Sequence, residues 1–439
     1  MLTKGTPWKN ILIFAIPLML ANILQQLYNT ADTIIVGNFI SQNALASVGS
    51  CTYIVGLYTG ISIALALGTG VVVSQAYGAK DFAKLKCSVG TGSILLMLVG
   101  LAFAIFSFCS CEYILKNIVA VPLEILNQSV LYAKIYSIGL FFQFSYNVFA
   151  SILRAVGNSK SSLYFLIITT IINIVLDLIF VLIFKFGVGG VAVATCISQF
   201  CAMLISFLYM IKAFPQFRPK WVYKKELSID ILKTGIPLTI QALIVNVGFM
   251  FMQNIANSFG VDMTASYAVS CRLEIYMLTP IISILHAIST YAGQNFGAGN
   301  YKKLLVGIKQ SVIMNLVIAT FIGILFFVLA PQLISLFALK NQSYLYALAH
   351  TRLAAIDLLL YASYTPVNGL CIGIGKGYVL SLISLVELTG RVFFAILLSG
   401  IIGAPCVWWS EPFAWIIVAT GVYIFYFMHL KKQLRIKNI

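Results

Sequence analysis

The chain has 439 residues, of which 61% are hydrophobic and only 9% charged. A soluble domain carries about 25% charged residues, so this composition excludes an ordinary water-soluble fold and reads as an all-α polytopic membrane protein. The net charge of +16 does not imply nucleic acid, because the lysines and arginines sit in short loops between apolar runs and make no basic patch with interleaved aromatics.

A helix crosses a bilayer with about 20 apolar residues. By that rule twelve spans are predicted, near residues 10–36, 47–74, 88–110, 126–153, 162–184, 189–212, 230–258, 264–293, 306–330, 344–372, 378–402 and 407–429. The runs are long and continuous, which favours helices over a β-barrel. Lys4 and Lys9 lead directly into a span too long for a signal-peptide core, so no cleavable signal is expected.

Span 1 holds the first informative residues. Asp32 lies in LYNTADTIIVG, and a charge at the bilayer centre costs roughly 2.5–3.5 kcal/mol on insertion scales, so such residues are rare and usually functional. Pro17 precedes it by about four turns. Proline removes a backbone hydrogen bond and permits either a hinge or a fixed kink. Between the two lie Gln25, Gln26, Tyr28 and Asn29, expected to face a wet cavity, with helix–helix hydrogen bonding as the other reading. Tyr146 and Asn147, near the inner end of span 4, are further cavity candidates.

Span 5 reads INIVLDLIF and places Asn173 and Asp177 four residues apart, on one face of a helix. Thr195 opens span 6. Asp32 and Asp177 both lie a turn or two from the outer ends of outward-going spans, so they are expected to meet within one lobe. Two neighbouring carboxylates resist ionising together. With the Asn173 amide and the Thr195 hydroxyl they would form an oxygen-lined Na⁺ site or a proton relay; the competing reading is that each aspartate caps a helix end. In the second half, Glu387 and Arg391 on span 11 read as an i, i+4 ion pair. Glu274 on span 8 and Asp357 on span 10 are weaker cation candidates, and His286 is a polar packing residue.

No GxxxxGK[ST] loop is present, so the energy source is expected to be an ion gradient, H⁺ or Na⁺, with no cofactor. The nine cysteines are mostly single and form no CxxC or Cys/His cluster, so no structural metal site is expected. With the N-terminus inside, 21 lysines and arginines fall on the cytoplasmic side and 3 outside, which fixes the orientation and puts both termini in the cytoplasm.

The halves resemble each other. Ile16-Pro17 repeats as Ile236-Pro237, and SQAYGAKDFAKL (74–85) as GQNFGAGNYKKL (293–304), both offset by about 220 residues. The predicted organisation is an N-lobe over 1–212, a cytoplasmic linker over 213–229 and a C-lobe over 230–439, related by a pseudo-two-fold axis along the membrane normal.

The segments IPLMLANILQQLYNTADTIIVG, LRAVGNSK and INIVLDLIF, together with the loops around Gln75 and Gln294, resemble the MATE (multidrug and toxic compound extrusion) family over essentially the whole chain. The polar residues are most similar to its DinF-like branch. That resemblance implies a twelve-helix, two-bundle fold and an antiporter, not an enzyme, that exports cationic and amphipathic drugs or metabolites in exchange for H⁺ or Na⁺. It implies a cation site at Asp32, Asn173, Asp177 and Thr195, a bending Pro17, and cavity residues at Gln25 and Tyr28. The span 7 stretch IPLTIQALIVNVGF lacks the glutamate of the NorM-like branch, and CIGIGKG after span 10 lacks the arginine of LRAVGNSK. The expected setting is the plasma (inner) membrane of a prokaryote, with the protein a monomer whose partners are small organic cations and the lipid bilayer. A lipid-linked saccharide flippase of the same superfamily is the alternative, and would need a strongly basic cavity. An integral-membrane enzyme would need a nucleophile or metal constellation that is not visible.

Overall fold

A computed structural model of the chain describes residues 2–213, 221–337 and 339–436. Among them are twelve helices long and apolar enough to cross a membrane. They are α1 (Pro7–Phe39), α2 (Gln42–Gly78), α3 (Phe82–Tyr113), α4 (Leu123–Ala155), α5 (Lys160–Leu178), α6 (Gly187–Ala213), α7 (Lys225–Ser258), α8 (Val261–Gly297), α9 (Tyr301–Ser335), α10 (Asn341–Gly373), α11 (Tyr378–Ile402) and α12 (Cys406–Phe425), followed by a short α13 (Lys431–Ile436). Several helices overshoot their apolar windows because they run on until a polar cap stops them. Ser41 Oγ accepts from the Ala44 amide at 3.1 Å at the start of α2, and Asp81 accepts from the Lys84 amide at 2.9 Å at the start of α3. On α3 the exposed row Leu98, Leu101, Ile105 and Phe108 repeats at helical spacing, the mark of a face turned to hydrocarbon.

Two compact units divide the chain, and the divisions fall inside helices. One unit comprises Leu20–Thr239, the other Met1–Met19 with Ile240–Ile439. The crossing points therefore lie within three residues of Pro17 and Pro237, whereas the expected lobes divide at the connecting loop. Of that loop, residues 214–220 lie outside the described residues.

In the Leu20–Thr239 unit, α4 is the hub, packed on α2, α3 and α6. Small hydroxyl residues let these helices approach: Ser107 and Ser137 share a 2.7 Å hydrogen bond, and Ser129 Oγ donates to the Ser47 carbonyl at 3.3 Å. The first half of α7 belongs here. It meets α2 at Gly68, where an added Cβ would lie 2.5 Å from the Ile231 carbonyl oxygen. The chain entering α7 is fastened to α3, since Thr91 Oγ1 donates to the Val222 carbonyl at 3.1 Å and accepts from the Lys224 amide at 3.2 Å.

In the other unit α10 is the hub, packed on α8, α9 and α12, while α11 lies on α12. The start of the chain is tied in by several bonds, one of them from Asn295 Nδ2 to the Leu2 carbonyl at 3.5 Å. The Leu2 amide donates to Gln294 at 2.8 Å, the Trp8 amide to Gln310 at 3.1 Å, and Lys303 Nζ to the Thr3 carbonyl at 2.7 Å.

Candidate functional site

Three helices of the Leu20–Thr239 unit bring polar residues together. Asn173 and Asp177, one turn apart on α5, are fully buried, and Thr195 on α6 is 5% exposed. Beyond Asp177 the helix widens into a π-turn, Ile179–Ile183, a distortion frequent at functional sites. The C-terminal part of α1 brings Asp32, half-buried, against them.

The Asn173 amide joins the two acids. With its nitrogen toward the carboxylates, the orientation that satisfies both, it donates to Asp32 Oδ1 at 3.0 Å and to Asp177 Oδ2 at 3.1 Å. The two carboxyl groups are also direct neighbours, and the Tyr28 hydroxyl reaches both Asp32 and Thr195. Thr195 Oγ1 donates to the Val191 carbonyl at 3.0 Å. Asp177 Oδ1 has no hydrogen-bond partner. A buried carboxylate oxygen without a donor is costly, so this atom is where a proton or cation gains most by binding.

A second layer, unread in the sequence, flanks the acids. Tyr132 and Tyr136 on α4 stack with ring centroids 6.1 Å apart and are electrostatic neighbours of Asp32. Tyr136 Oη donates to Gln143 Oε1 at 3.4 Å and accepts from Gln199 Nε2 at 3.5 Å, and Gln143 Nε2 donates to Thr59 Oγ1 at 3.0 Å. A polar chain thus crosses α2, α4 and α6 beside the acids. Its one sequence signal is the spacing of Tyr132 and Tyr136, which an ordinary packed helix face would also give.

The remaining candidates stand apart. Gln25 is exposed, and the side chain of Asn29 lies outside the described residues. Asn147 donates to Ser62 Oγ at 2.8 Å, a bond between α4 and α2. Pro17 lies on α1 in the unit that also holds α8–α12.

The expected Glu387–Arg391 pair is not formed. Arg391 reaches across to α12 and meets Glu411 at 3.1 Å, while Glu387 accepts from Trp415 Nε1 at 2.8 Å. Glu411 is only 1% exposed and has the greater need of a counter-charge; half-buried Glu387 is satisfied by a neutral donor.

The sequence model of the MatE family matches residues 17–179 and 237–397. Among curated proteins the chain is 31% identical over 369 residues to a probable multidrug resistance protein, YoeA, of Bacillus subtilis, covering 82% of this chain and 79% of that one. It is 25% identical over 445 residues to a probable multidrug resistance protein, NorM, of Thermotoga maritima, covering 97% and 93%. Among solved structures, a MATE protein in its bent conformation matches with a TM-score of 0.93 at 22% identity, over 100% of this chain and 98% of that one.

Proposed function

The chain belongs to the MatE family, and on that premise we propose that it is a cation-coupled exporter of cationic and amphipathic small molecules, resident in a prokaryotic plasma membrane with both termini cytoplasmic. Its class is that of multi-pass membrane transporters, not enzymes. The drug-export reading draws on relatives described as multidrug resistance proteins. The coupling reading rests on one observation: Asp32 and Asp177 share the Asn173 amide inside a bundle of apolar helices.

Tyr28 turns its hydroxyl toward Asp32, and a proton on Asp177 Oδ1 needs no rearrangement around it, which favours H⁺ over Na⁺. The Asn173 amide suits either ion, since its nitrogen bridges the two carboxylates and its oxygen, turned the same way, would face Na⁺. Protonation removes the mutual repulsion of the pair and weakens the charge-assisted bonds that hold the outer part of α1 to α5 and α6. Because α1 enters this unit just after Pro17, where a backbone hydrogen bond is already missing, the part beyond Pro17 can bend there. In this cycle a proton entering from outside releases α1 and the drug, and proton loss to the cytoplasm restores the drug-accepting form.

Proteoliposomes with independently imposed pH and Na⁺ gradients test the proposal through movement of a fluorescent organic cation. The expected result is exchange driven by a pH gradient alone and abolished by Asp32→Asn or Asp177→Asn. Exchange driven only by Na⁺ would reassign the ion. Undiminished exchange in both variants would overturn the site.

A further inference from the structure

A second buried polar cluster lies in the unit that contains α8–α12, and the transport cycle above makes no use of it. Glu274 on α8, His350 on α10 and Glu411 on α12 each offer one ligand atom, and these atoms lie within 4.8 Å of one another. All three are nearly sealed, at 4%, 2% and 1% exposure. We infer that Glu274, His350 and Glu411 form a binding site for a divalent first-row transition-metal ion of the zinc class.

The argument begins with hydrogen-bond capacity. His350 Nε2 and Glu274 Oε2 have no hydrogen-bond partner. Two carboxylates and an imidazole nitrogen facing one another are short of donors, and burying such a set is unfavourable unless a shared proton or a metal cation sits among its lone pairs; the site is inferred to take the metal. Charge points the same way. Glu274, Asp357 and Glu411 are all buried, Glu387 is their neighbour, and Arg391 is the guanidinium beside them. With all four carboxyls ionised and one guanidinium beside them the group carries −3, and a divalent ion would offset two of those charges.

The ligand types select the metal. Na⁺, Mg²⁺ and Ca²⁺ prefer oxygen, whereas one imidazole with two carboxylates is a zinc-type set. Ligand atoms around tetrahedral zinc lie roughly 3.4 Å apart, given bonds of about 2.1 Å, so the trio, within 4.8 Å, would draw in around a bound ion. The surroundings already hold the ligands. The His350 ring stacks between Tyr267 at 5.8 Å and Trp408 at 5.9 Å, which fixes its plane. Arg391 binds Glu411 Oε1 and orients that carboxylate as an outer-shell partner. Three protein ligands leave a fourth position open.

Equilibrium dialysis of the full chain, purified without a polyhistidine tag and stripped with chelator, tests the assignment with Zn²⁺, followed by elemental analysis. Co²⁺ in place of Zn²⁺ gives a visible ligand-field spectrum. The expected result is one tightly held zinc per chain, a cobalt spectrum with a nitrogen ligand, and affinity lowered at least about tenfold in both His350→Gln and Glu274→Gln. Zinc should also raise the melting temperature of the wild type and not of the variants. The wild-type spectrum needs no variant to fold, so absence of bound metal in the wild type overturns the proposal, as does equal uptake by the variants. Transport is not the readout, so failure here leaves the Asp32 and Asp177 assignment standing, and the reverse holds as well.

Discussion

At the level of single residues, the i, i+4 spacing of Asn173 and Asp177 was enough to predict a shared helix face, and the matched depth of Asp32 was enough to predict an encounter. Both are geometric consequences of helical period in a slab of fixed thickness. Thr195 was legible for the same reason; Tyr28 was read as a cavity residue, whereas its hydroxyl lies against Asp32. Tyr132, Tyr136, Gln143 and Gln199 were not, because a single sequence does not distinguish polar groups that line a site from polar groups that join helices. The Arg391–Glu411 pair was hidden for a related reason: a long side chain chooses its partner by burial across helices, and the i, i+4 alternative at Glu387 looked equally good on paper. Arg391→Met alone should strand the buried Glu411 carboxylate and cost about 3–5 kcal/mol, seen as a large fall in melting temperature in detergent. Arg391→Met combined with Glu411→Leu should recover much of that loss; no recovery would show that the pair is not what stabilises this region. In the first unit, Tyr28→Phe removes one donor from Asp32 while Asn173 remains. It should reduce transport less than Asp32→Asn does, in the same flux assay.

At the level of elements, the twelve spans were readable because continuous apolar runs have few alternatives. Their ends were less so, because caps such as Ser41 and Asp81 lie beyond the apolar windows and lengthen the helices. The π-turn after Asp177 has no sequence signature. Close helix approaches yield a pair of predictions of opposite sign. Gly68→Ala puts a methyl group 2.5 Å from a backbone oxygen of α7, which cannot move aside as a side chain would, and should cost about 1–3 kcal/mol. Gly400→Ala, near the end of α11, meets nothing within 4 Å and should gain up to about 1 kcal/mol from helix propensity. Thermal melts of both variants check the contrast, and equal shifts would contradict the packing of α2 on α7. Pro17→Ala restores a backbone hydrogen bond to α1. It should raise the melting temperature while lowering exchange at least about tenfold; unchanged exchange would mean that Pro17 is a fixed kink.

At the level of the whole molecule, the repeat showed that the chain holds two similar halves but not how they divide in space. The compact units exchange their first half-helices: residues 1–19 join the unit of the second half, and the start of α7 joins the unit of the first. Pattern matching along the chain cannot see this, because exchanged and unexchanged arrangements present the same apolar faces. The exchange gives α1 and α7 a place in both units, so in the proposed cycle a charge change at Asp32 acts on a helix whose first turns belong to the other unit. The most direct measurement is proton release by purified protein in weak buffer on addition of an organic cation. Binding to the wild type should release protons into solution, and the Asp32→Asn/Asp177→Asn double variant should release none while remaining folded. Equal release from both proteins, or no release from the wild type while the drug binds, would contradict proton exchange at this pair.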